Sequence, residues 1–163
     1  MTTIRQKSRQ RITVTKTLTA AADVTFDIPA WATRLKIATD PMTNVGQTSL
    51  CLTVFVDGAE VVTGYKGATS RFGTSTMATD VWNGAQALLT NNSSAAAQMN
   101  CDVELRKIDG ERWIMSSYGG HAANTVTFGA AGTVALTKQP GQVRLKGVPA
   151  TTFNGTVTLT AEA

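Results

Sequence analysis

Short runs of alternating apolar and polar residues follow one another along this chain. Ile12 and Val14 alternate with Thr13, Thr15, Thr17 and Thr19, and Leu35 and Ile37 alternate with Arg34 and Lys36. Farther on, Met99, Cys101, Val103 and Leu105 alternate with Asp102, Glu104 and Arg106. A period of two marks half-buried strands, because successive strand side chains leave opposite faces of a sheet. The run 49–56 is nearly continuous in apolar and β-branched residues and leads through Asp57-Gly58 into 59–63. It predicts a tight hairpin, since Asp-Gly supplies the positive φ values that such a turn requires. A second hairpin is expected where Asp109-Gly110 joins the strand ending at Arg106 to Trp113 and the residues that follow, as far as Tyr118. Short strands at 24–26, 125–128, 133–137, 142–146 and 156–161 complete the series, and Pro29 places a turn between Ile28 and Trp31.

No helical period is sustained, although 81–89 has room for one or two turns. Strands at this spacing predict an all-β fold, a two-layer antiparallel β-sandwich of the jelly-roll kind. Its core is expected to hold Leu35, Ile37, Leu50, Leu52, Val54, Cys101, Val103, Leu105, Val143 and Leu145. The stretches 65–83 and 89–98 read as long irregular loops, the places where partners are usually met.

Composition agrees with this reading. A chain of 163 residues with 42% hydrophobic and 16% charged residues suits one domain with a proper core. Thr supplies roughly one residue in six, and its β-branch favours a pleated, half-exposed surface. No stretch has the length of apolar sequence that a membrane span needs, and no signal peptide is recognisable, so synthesis in a host cytoplasm is expected. Cys51 and Cys101 lie in apolar strand patterns and read as buried free thiols.

Charge divides the chain. Residues 1–22 carry Arg5, Lys7, Arg9, Arg11 and Lys16 and no acid, while the whole protein has a net charge of only +4. The reading is a basic N-terminal arm over 1–22 that leads into the first strand, followed by a sandwich domain over 23–163. The first four cations alternate, so an extended segment presents them all on one face. These five residues are the expected partner-binding set, directed at an acidic surface or a neighbouring subunit. Nucleic acid is disfavoured, because five charges without interleaved aromatics are a thin basis for it.

Catalytic chemistry finds little foothold. His121, the single histidine, sits in a Gly-rich, loop-like context with no nucleophile or carboxylate in a known arrangement, and it reads as a surface loop residue. The acids are scattered; Asp57 and Asp109 belong to turns, and Asp102 and Glu104 to a solvated strand face. Residues 64–73 have the glycine and hydroxyl content of a phosphate loop but lack its Gly-Lys-Ser/Thr end and a following helix. Two cysteines without neighbouring histidines cannot form a structural zinc site. Of the three tryptophans, Trp31 reads as a corner plug, Trp113 as a strand residue, and Trp82 as the surface candidate. No catalytic, cofactor-binding or metal-binding residue is assigned, and the expectation is a protein that is not an enzyme.

The segment 24–37, with Phe26, Ile28-Pro29, Trp31 and the Arg34-led apolar strand, resembles a pattern found in virion proteins of tailed bacteriophages. The Arg112-Trp113-Ile114 strand, the small-residue stretch to Gly132, Val143-Arg144-Leu145 and the Thr-rich strand after Phe153-Asn154-Gly155 are similar in character. The resemblance implies a β-sandwich displayed on a phage particle. The leading expectation is a capsid decoration or cement protein that binds the major capsid protein, or another virion protein, on the outside of the head. Copies of itself are further expected partners, as a homo-oligomer, with a trimer the working number. The alternative is a tail-associated fibre or glycan-recognising receptor-binding module, and a carbohydrate-active enzyme stands third.

Overall fold

The computed structural model describes residues 10–73, 77–90, 98–121 and 126–163. Thirteen strands form in chain order: β1 (Arg11–Ala21), β2 (Asp23–Asp27), β3 (Arg34–Asn44), β4 (Ser49–Val56), β5 (Ala59–Glu60), β6 (Tyr65–Phe72) and β7 (Met77–Gly84), then β8 (Ala87–Leu88), β9 (Gln98–Lys107), β10 (Arg112–His121), β11 (Val126–Ala135), β12 (Gln142–Val148) and β13 (Phe153–Glu162). None of the described residues is helical. They make an antiparallel eight-stranded sheet in the order β1-β13-β3-β9-β10-β11-β6-β7, and a five-stranded sheet in which β2-β12-β4-β5 is joined by β8 on β4. The expected two-layer antiparallel sandwich is therefore present, and its strand order does not by itself define a jelly roll.

The core lies between the two sheets. Leu35 and Ile37 on β3 stand directly opposite Leu105 and Val103 on β9, and these face Leu50, Leu52 and Val54 of β4 and Val143 and Leu145 of β12. All ten residues expected in the core are buried. Hydrogen bonds also tie the layers, from the Val54 amide to the Tyr65 hydroxyl at 2.8 Å and from the Thr69 hydroxyl to the Leu88 carbonyl. Cys51 and Cys101 are free and buried, and burial pushes both thiols up to about 12.

The first hairpin forms as the sequence predicts: Asp57 and Gly58 have φ of 51° and 80° and connect β4 to β5. At the second, the Asp109 carboxylate accepts hydrogen bonds from the amides of Glu111 and Arg112 and holds the loop 108–111 together. Register shifts in β3 and β13 face each other. There Gly155, at φ 132°, packs so close to the Pro41 carbonyl that no side chain fits, and Pro41 is tolerated because a bulge needs no ladder donor from it.

Four expectations need correction. Residues 81–89 contain the end of β7 and all of β8, and no helix. The stretch 65–83 is largely the hairpin pair β6 and β7; of 89–98, residues 91–97 lie outside the described residues. Trp82 is 5% exposed: its ring lies over Gly67 and Gly132, and its Nε1 donates to the Thr69 hydroxyl at 3.1 Å. His121 is the last residue of β10, turned inward against Phe128 at a ring distance of 5.0 Å, and burial followed by the Arg71 charge lowers its pKa.

Candidate functional site

Two surfaces carry the candidate chemistry, both on the eight-stranded sheet. The first is its β1 edge. Ten of the eleven residues of this strand are exposed or half-buried, and Leu18 alone is buried. Its ladder is to β13, running from Arg11 opposite Glu162 to Ala21 opposite Phe153. Thr13 and Thr15 bond the hydroxyls of Thr160 and Thr158 at 3.1 and 3.0 Å on the outward face. The strand is thus held by backbone and hydroxyl bonding, with little help from the core.

Of the five expected partner-binding cations, Arg5, Lys7 and Arg9 lie outside the described residues. Arg11 and Lys16 leave opposite faces of β1, as their odd separation requires. The Arg11 guanidinium is 3.9 Å from Glu162 with its side chain 67% exposed. Lys16 donates to the Thr25 carbonyl at 2.7 Å and sits 5.2 Å from the Phe26 ring centre, so its charge pins β1 to β2. Lys16 therefore serves this chain's own fold, whereas Arg11 stays largely open to solvent.

The second surface is the outward face of the sheet's middle strands. The ladders set a row across it: Thr158 on β13, Ala38 on β3, Asp102 on β9, Tyr118 on β10 and Gly129 on β11 stand side by side. Because Ala38 is short, the longer side chains around it wall a hollow of about 570 Å³, bounded by Lys36, Glu104, Ser116, Tyr118, Thr158 and Thr160. A second hollow of about 420 Å³ shares Ala38, Asp102 and Tyr118 and continues to Asp40, Asn100, Gly120 and Thr127. Tyr118 stands where the two meet, 67% exposed.

Charge is distributed unevenly over this face. At one end Arg34 donates twice to the Glu104 carboxylate, at 2.9 and 2.7 Å, and approaches Glu162 at 3.6 Å. The Arg34 hydrogen bonds hold Glu104 below its ordinary pKa, which fixes it as a carboxylate and is opposite to what a general acid needs. Asp40 and Asp102 form no ion pair among the described residues. No group of three or more His, Cys, Asp and Glu gathers as metal ligands among the described residues.

Sequence reasoning assigned Asp102 and Glu104 to a solvated face and did not single out Tyr118. The signal was there: in β10 the inward phase is Trp113, Met115 and Ser117, so Tyr118 is an aromatic on the outward, polar phase.

No known family pattern matches the chain, and no curated protein does. Among solved structures, a protein of unknown function from Shewanella oneidensis MR-1 is similar at 12% identity and a TM-score of 0.37, covering 94% of this chain and 70% of that one. A likeness of that size carries no argument about fold or function.

Proposed function

We propose that this β-sandwich is a non-enzymatic structural component of a tailed-phage particle, a decoration protein that attaches to the outside of the head and reinforces it. One observation carries the reading. The basic run Arg5, Lys7, Arg9 and Arg11 continues into a strand that lies at the rim of the larger sheet and has one buried side chain, Leu18. Such a segment suits attachment to an acidic surface on the major capsid protein or a neighbouring copy. Many copies on a lattice then give avidity that one small contact lacks.

Self-association belongs to the same proposal. The opposite rim of the sheet is β7, which exposes Met77 and Val81 at 73% and 80% and has no Lys, Arg or Pro. Free strands are ordinarily guarded by such residues. A second copy is the partner such a rim suits.

The test is occupancy on purified particles for the native protein and a variant with Arg5, Lys7, Arg9 and Arg11 all replaced by Gln. Exposed charge pairs contribute about 0 to 1 kcal/mol each, so the set lowers affinity by about one to two orders of magnitude while the sandwich stays folded. Native binding weakens as salt screens the contact over roughly 8 to 10 Å. Equal occupancy of both proteins across the salt series refutes the attachment role.

A further inference from the structure

We propose that the double hollow on the outward face of the eight-stranded sheet is a binding site for a neutral oligosaccharide, with Tyr118 as its stacking platform. The inference stands on the middle strands alone and holds whether the protein sits on a head or a tail.

Shape comes first. Tyr118 has Ser116 and Gly120 as outward neighbours along its own strand, Gly129 beside it on β11, and Asp102 beside it on β9. Three of these four are among the smallest residues, so the phenol ring is left uncovered where a larger set would have packed on it. An aromatic ring open in this way offers an apolar face with a polar tip, which matches the C–H face and hydroxyl rim of a pyranose. From the Lys36 end to the Asp40 end the site spans four residue steps along β3, roughly 13 Å at the rise of a strand, enough for two or three sugar rings.

Polar chemistry narrows the class. Asp40 and Asp102 offer carboxylate oxygens that accept from sugar hydroxyls, and Asn100, Ser116 and Lys36 offer donors close by. Pockets that orient a ligand use a few such groups against a less polar floor, here Ala38 and the two glycines Gly119 and Gly120. Asp40 and Asp102, which form no ion pair among the described residues, repel a phosphate- or uronate-bearing polymer, so acidic glycans and nucleic acid are disfavoured. An apolar ligand would leave the carboxylates desolvated and unpaired.

The isolated protein is to be run in affinity gels containing dextran, mannan, galactomannan or mixed-linkage β-glucan, and applied to an array of neutral and acidic bacterial surface oligosaccharides. The expected result is retention by at least one neutral glycan that persists in 0.5 M NaCl. Tyr118→Ala weakens it at least about tenfold, Ala38→Trp blocks it by filling the hollow, and Tyr118→Phe retains it. All three changes fall at exposed positions, and an unchanged melting temperature confirms that each variant is folded. Absence of any neutral ligand, salt-sensitive binding to acidic polymers only, or full binding by both Tyr118→Ala and Ala38→Trp overturns the proposal. Because no particle is involved, a negative result here leaves the attachment role untouched, and the reverse also holds.

Discussion

Replacing Glu60 by Gln should lower stability near neutral pH and have almost no effect near pH 2. Glu60, on β5, reaches over β4 to β12, where its two oxygens meet Arg144 at 2.5 Å and Lys146 at 2.8 Å. The three side chains are only 20 to 27% exposed, and Arg144 also lies 4.9 Å from the Phe55 ring centre. Burial raises the Glu60 pKa, but the hydrogen bonds from Arg144 and Lys146 and the Arg144 charge outweigh it and hold the carboxyl down at about 2, from an ordinary 4.5. A depression of that size sets a ceiling of about 3 kcal/mol of pairing, and solvent at a quarter-exposed pair brings it to about 1 to 2 kcal/mol. The folded-state value is the lower one, so this stability is complete above the unfolded pKa of about 4.5 and is lost as pH falls toward 2. Urea unfolding of native protein and Glu60→Gln at steps from pH 7 to pH 2 reads the difference directly. A protonated Glu60 resembles Gln, so the two stability curves should converge at the acid end. A gap that does not change with pH, or no gap at pH 7, would show that the pair does not act as its geometry indicates.

Gly132→Ala should detach Trp82, because a methyl group at that position overlaps both the Trp82 ring and the Lys66 carbonyl. A red-shifted tryptophan emission and a stability loss of about 1 to 3 kcal/mol are expected, and an unchanged spectrum refutes the contact. Val81→Lys should abolish self-association without lowering the melting temperature, since Val81 is 80% exposed and a charge on a strand rim opposes pairing. Sedimentation velocity of the two proteins decides this: a native protein that sediments as a monomer, or an unaltered distribution in the variant, refutes the proposed pairing through β7.

The sandwich was legible in the sequence wherever one strand carries its own apolar phase, as β3, β9 and β12 do. It was hidden where one strand's volume is supplied by another. Along β6 the inward positions after Tyr65 are Gly67 and Thr69, so the strand reads as a polar glycine loop. The missing volume is Trp82, which lies over Gly67 from β7 and over Gly132 beyond it. β7 misled in the opposite sense, with Met77 and Val81 outward and Trp82 inward, so no phase of the strand is cleanly apolar. His121 follows two glycines that suggested a loop. Yet Gly119 is required within a strand, because a side chain there would strike the Asn100 carbonyl. Partners across a sheet decided all three cases, and local sequence contains no record of them.

The pairing of charge separates groups that hold the fold together from groups left to meet a ligand. On the smaller sheet Arg144 and Lys146 both pair with Glu60, opposite Thr53 and Cys51, which are fully buried on what would otherwise be an open face. On the larger sheet Arg34 and Glu104 close one end of the outward face in the same manner, while Asp40 and Asp102 form no ion pair among the described residues and Tyr118 is 67% exposed. Carboxylates without an ion pair among the described residues and an open aromatic ring add little to the stability of the strands that carry them. Their fixed spacing on a rigid ladder is what a ligand would use. From β1 to β10 there are four strand steps, roughly 19 Å at the usual spacing between strands. The hollow's Thr158 and Thr160 wall lies one strand step from β1, but Tyr118 lies four, so the proposed attachment through the basic rim would still leave Tyr118 open to the surroundings.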